Sequence, residues 1–215
     1  MHKIRTPHNH PDGKVFAWMA LLMGLGIGLV LPIFPGIVKS LMHTDSNVSL
    51  FYSFIAIMML LASLLSAVLF RKISRKTITK IGFLTMGGIF FLLIFVTRWV
   101  ELGILESIRV WFELLLYISL SLFVRDFTNT NNLGENEGLY YRFQNIGFFI
   151  GPLLGGFLAT LLSYEFVFIC ATAVLLAAMG YFYHMNIIEN HAAILNIKGI
   201  GVKNLLATKR ELKPI

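Results

Sequence analysis

Six apolar runs, each long enough to cross about 30 Å of hydrocarbon, constrain what this chain can fold into. They extend over Val15 to Val38, Ser49 to Phe70, Ile81 to Thr97, Gly103 to Val124, Tyr141 to Ser163 and Phe166 to Ile187. Hydrophobic residues make up 57% of the 215 and charged residues 13%, where a soluble domain carries about 25% charged. No water-soluble interior could hide that surface, whereas a bilayer accepts it because lipid tails are themselves apolar. Inside lipid each segment must satisfy its own backbone hydrogen bonds, so the runs are expected to be helices. The expected fold class is all-α: a six-helix transmembrane bundle over residues 15–188. A short segment, 1–14, precedes it and a basic tail, 189–215, follows.

The basic residues orient such a bundle. Fifteen of the eighteen Lys and Arg residues fall on the side shared by both termini, and only Lys39, Arg98 and Arg109 on the other. By the positive-inside bias both termini are cytoplasmic, which makes this a multi-pass protein of a bacterial or archaeal inner membrane. The same distribution accounts for the net charge of +7, so no nucleic-acid partner is needed to explain it. Lys3, Arg5 and Lys14 before the first run resemble a secretory signal, but the run is too long and lacks a small-x-small cleavage site. Trp18, Trp99, Tyr140, Tyr141, Tyr181 and Tyr183 fit an interfacial aromatic belt. Asp126 to Gly138, rich in Asn and Gly, is expected to be a mobile connector. In the tail, Val202, Leu205, Leu206 and Leu212 have the spacing of a surface-lying amphipathic helix or of a plain basic linker. A single cysteine, Cys170, excludes a disulfide framework. His8 and His10 alone do not make a metal site, and no cofactor, metal or catalytic residue is expected.

Helices in lipid associate through small residues that let backbones approach. Gly147, Gly151, Gly155, Ala159 and Ser163 recur every fourth residue in the fifth run, as do Ala20, Gly24 and Gly28 in the first. Pro32 and Pro35 should bend the end of the first run, and Pro152 interrupts the hydrogen-bond ladder of the fifth. These positions read as ordinary tight packing or as a joint that lets two helices slide.

The fourth run carries Glu106, Arg109, Glu113, Tyr117 and Ser121. At 100° per residue these five side chains fall within about 120° on one face. Charge facing lipid at the bilayer centre is costly, so this face must turn toward protein or a wet cavity. Arg109 can pair with Glu106 at i−3 and with Glu113 at i+4. One reading is a structural charge cluster near the outer surface. The other makes Glu113 a protonatable or cation-attracting group on a solute path. Gln144 and Asn145 read as interhelical hydrogen-bond partners.

The order of these features resembles the major facilitator superfamily. The stretch Gly24 to Leu41 is similar to its glycine-rich first helix with a proline-containing end. Ala67 to Ile78, with Lys72, Arg75 and Lys76, stands at its basic loop between helices 2 and 3. Arg71, Ala67 and Ser74 replace that loop signature's acid and two glycines. Gly147 to Gly156 is similar to the proline-glycine signature of its antiporters, and Asp126 matches an acid that pairs with the basic loop. The resemblance implies half of a twelve-helix fold, built as a 3+3 inverted repeat. It further implies the amino-terminal half of a secondary transporter, moving a small solute by alternating access with a second six-helix half. A non-transporting membrane scaffold, or an orphan half that needs a partner, is the rival. A multi-pass phosphatidyltransferase or rhomboid-type protease would need a DG…AR…D…D run or a GxSG serine, and neither occurs.

Overall fold

The structure is a computed structural model describing residues 13–128 and 130–185; the amphipathic stretch of the tail and His8 and His10 lie outside the described residues. Seven α-helices form six candidate membrane spans. They are α1 (Gly13–Val30), α2 (Phe34–Met42), α3 (Asp45–Lys72), α4 (Arg75–Leu93), α5 (Trp99–Asp126), α6 (Leu133–Leu161) and α7 (Tyr164–His184). The first span is α1 plus α2, broken by a turn at 31–33. Pro32 lies in that turn, and Pro35 stands at the second position of α2, where a missing N–H costs nothing.

The helices outrun the apolar runs because polar residues cap them. Ser74 accepts from the Thr77 amide at 3.2 Å, which starts α4 on the basic stretch rather than after it. The Glu101 carboxylate accepts from the amides of Thr97 and Arg98, both at 3.2 Å, so α5 begins at Trp99. The expected connector 126–138 is far shorter: Leu133 onward is already α6. Its glycines do not break the helix, because Glu137 is held by Arg125 across the turn at 2.5 Å.

Contacts between spans pair in a two-fold pattern. Span 1 packs on spans 5 and 6, span 4 on spans 2 and 3, and spans 3 and 6 on each other. Successive spans alternate in direction, so spans 1–3 and 4–6 are related by inversion across the membrane plane. The two equivalent pairings differ in closeness. In the tight pair, α6 turns Asn136, Tyr140, Gln144, Gly147, Gly151 and Gly155 inward and meets α1 through backbone. A Cβ on Gly24 would come 2.5 Å from the Gln144 carbonyl oxygen, and one on Gly151 2.7 Å from Gly28 Cα. In the loose pair, α3 diverges from α5 and leaves an apolar cavity of about 920 Å³, lined in part by Phe51, Phe54, Met58, Trp99 and Ile104.

Tyr140, expected in the interfacial belt, is only 2% exposed because it belongs to the inward row of α6. At the end of the bundle that carries Arg71 to Lys80, rings from three helices stack. Phe16 of α1 lies 5.5 Å from Phe123 of α5, which lies 5.8 Å from Phe182 of α7. Phe127 packs against Phe16 at 5.6 Å. These rings close that end.

Gly151→Ala should lower the stability of the detergent-solubilised protein by about 1–3 kcal/mol, as overpacking does. Gly156→Ala, where an added Cβ meets nothing within 4 Å, should leave it unchanged. Unfolding by SDS titration distinguishes the two.

Candidate functional site

The i, i+3 and i+4 rows of α5 bring three ionisable side chains together. Arg109 presents its fork to Glu106, with Nε donating to Oε2 at 2.7 Å and the second terminal nitrogen to Oε1. Its remaining terminal nitrogen donates to Glu113 Oε2. Bidentate geometry of this kind fixes orientation as well as charge. Glu113 is the fifteenth residue of the 28-residue helix, about 20 Å from either end at 1.5 Å per residue. Glu106 is 3% exposed, and Arg109 and Glu113 are 16% and 17% exposed. The cluster is therefore sheltered by protein in the middle of a span.

Tyr117, one turn on, hydrogen-bonds Glu113. Its ring stacks on Phe148 of α6 at 6.4 Å between centroids. From α3, Tyr52 interacts electrostatically with Glu106. From α6, Tyr140 does so with Tyr117, and the buried Tyr140 hydroxyl has no hydrogen-bond partner. The site thus draws on three helices. Sequence reasoning found its α5 members and missed Tyr52, Tyr140 and Phe148. The inward spacing of Tyr140 with Gln144 and Gly147 is the one signal that could have found any of these.

The remaining candidates separate from this cluster. Gly24, Gly28, Gly147, Gly151 and Gly155 form the α1–α6 contact, and the Pro152 ring lies within reach of a Cβ placed on Gly28. The helix runs unbroken through Pro152. Arg75 pairs with Asp126 at the end of α5. Below that pair, Thr79 and Ser119 share a buried hydrogen bond of 2.5 Å, and both hydroxyls reach the Arg75 carbonyl oxygen, at 3.0 and 3.2 Å. Lys80 stands over the Tyr183 ring at 4.6 Å. The α3–α4 junction is thus tied to α5 and α7. Lys72 is exposed, and Lys76 also makes an interaction. Gln144 is buried against α1 and Asn145 is exposed. Among the described residues no group of three His, Cys, Asp or Glu is placed to hold a metal.

Such a site can bind charge in the membrane interior but offers no nucleophile with an adjacent base. A family model described as Major Facilitator Superfamily matches residues 16–204. No curated protein matches the chain.

Replacing Arg109 by Ala leaves two carboxylates without their cation, and removing one partner of a buried pair costs about 3–5 kcal/mol. Arg109→Ala should therefore destabilise far more than Glu113→Gln, which keeps an amide within reach of Arg109 and Tyr117. SDS unfolding of the two variants gives the order.

Proposed function

The chain belongs to the Major Facilitator Superfamily, and from that premise we propose that it acts as the amino-terminal half of a secondary transporter, carrying a small solute by alternating access. The observation that supports this reading is the sheltered Glu106–Arg109–Glu113 cluster at mid-span of α5. Ionisable groups inside a membrane bundle mark solute or ion pathways, because their cost is too great for packing alone to retain them. In this reading Glu113, Arg109, Glu106 and Tyr117 face the path.

The glycine contact supplies the moving part. Backbones that meet without interlocking side chains can shift along one another, so α6 can slide on α1 at Gly24, Gly28, Gly147, Gly151 and Gly155 while Pro32 and Pro152 absorb the bend. The Arg75–Asp126 pair and the Thr79–Ser119 bond hold the α3–α4 junction to α5 through that motion. The basic end faces the cytoplasm, as the distribution of Lys and Arg requires. The second six-helix half docks on the apolar faces left open on α3 and α6, where Leu64, Phe149, Leu153 and Phe157 are all at least 60% exposed.

The test is flux in proteoliposomes holding the full chain, alone and with a candidate second half, screened against a panel of charged and neutral solutes. Flux that falls at least tenfold in Glu113→Gln supports the reading. Absence of flux in both preparations returns the chain to the scaffold class, and unchanged flux in the variant removes Glu113 from the path.

A further inference from the structure

Counting charge leaves the α5 cluster one positive charge short. Glu106 and Glu113 carry two negative charges when ionised and Arg109 carries one positive. The ion pairs found among the described residues bring neither carboxylate a second cation.

Other charged groups on the packed elements are remote. Lys14 stands at the start of α1, and Lys39 of α2 pairs with Asp45 at the opposite end of the bundle. On α3, Arg71 and Lys72 close the helix. Arg75, Lys76 and Lys80 of α4 sit in its first two turns. On α6, Glu135 and Glu137 lie near its start, followed by Tyr141 and Arg142, which are exposed. Only tyrosines face the cluster: Tyr52 from α3, Tyr117 from α5 and Tyr140 from α6.

Two further observations point the same way. The Tyr140 hydroxyl is buried, unpartnered and electrostatically in reach of Tyr117, which itself bonds Glu113. Its oxygen has acceptor capacity available. The stacked rings of Tyr117 and Phe148 add the negative faces that attract a cation. The two carboxylates also differ: Glu106 has both oxygens engaged by the Arg109 fork, whereas Glu113 receives one arm on Oε2. Glu113 is thus the carboxylate with coordination to spare.

We propose that the cluster is a site for one monovalent positive charge, seated on Glu113 between Tyr117 and Tyr140, and that it is electrically balanced only when occupied. The occupant is a proton or a small cation. Either would satisfy the same carboxylate oxygen and complete the same charge count. This names the ligand class of the site on which the transport reading rests, but it concerns binding and stands whether or not the chain transports.

The experiment uses the full chain in phosphatidylcholine nanodiscs, with no flux measurement. Infrared difference spectra between acid and alkaline pH, with ¹³C-labelled glutamate, report a protonated carboxyl. Isothermal titration with sodium chloride and, separately, with tetraphenylphosphonium chloride reports a cation. A labelled-carboxyl band that titrates in the wild type and vanishes in Glu113→Gln identifies the proton. Saturable binding of either cation that weakens at least tenfold in Glu113→Gln identifies a bound cation. Tyr140→Phe should shift the titration or weaken binding about fivefold, the worth of one hydrogen bond. Circular dichroism and gel filtration establish that each variant is folded. A wild type with neither a titrating band nor binding overturns the proposal, with no variant needed. So does a band or binding that persists in folded Glu113→Gln.

Discussion

Direct backbone contact between α1 and α6 is the constraint from which the rest of this bundle follows. Lipid gives two helices no hydrophobic reason to associate, so their adhesion comes from van der Waals contact at short range. Glycines at Gly24, Gly28, Gly147, Gly151 and Gly155 allow that range. Once α6 is seated, its inward row carries Tyr140 and Gln144 into the interior and sets the Phe148 ring against Tyr117. The wall facing the charged side of α5 is therefore placed by glycines on two other helices.

The inversion-related pair behaves differently because its residues differ. Between α3 and α5 there is no glycine row. Phe51, Phe54, Met58 and Ile104 stand there instead and hold the helices apart around a cavity. One fold thus contains a tight and a loose version of the same helix pairing. The asymmetry lies in side-chain volume rather than in topology.

Much of this was legible in the sequence. The number of spans and their class followed from hydropathy, since segment length against bilayer thickness is a one-dimensional quantity. The partners of Arg109 followed from helical spacing, because i−3 and i+4 neighbours share a face whatever the tertiary structure. The helix starts were not found: Ser74 and Glu101 extend α4 and α5 into polar sequence by capping, which hydropathy does not register. Tyr140 was placed at the interface because tyrosine favours it, and the inward row of α6 overrode that preference. The contribution of Tyr52 depends on how α3 lies beside α5, a three-dimensional fact with no local signature.

The ring stack of Phe16, Phe123, Phe127 and Phe182 bears on timing. A single aromatic gate swings on its own χ angles in picoseconds to nanoseconds. Here the rings brace one another from three separate helices, so no one of them can turn aside while the others stay. Parting them requires the helices themselves to separate, a collective motion of microseconds to milliseconds. Leakage through that end is then throttled by the slow clock of the backbone rather than the fast clock of side chains.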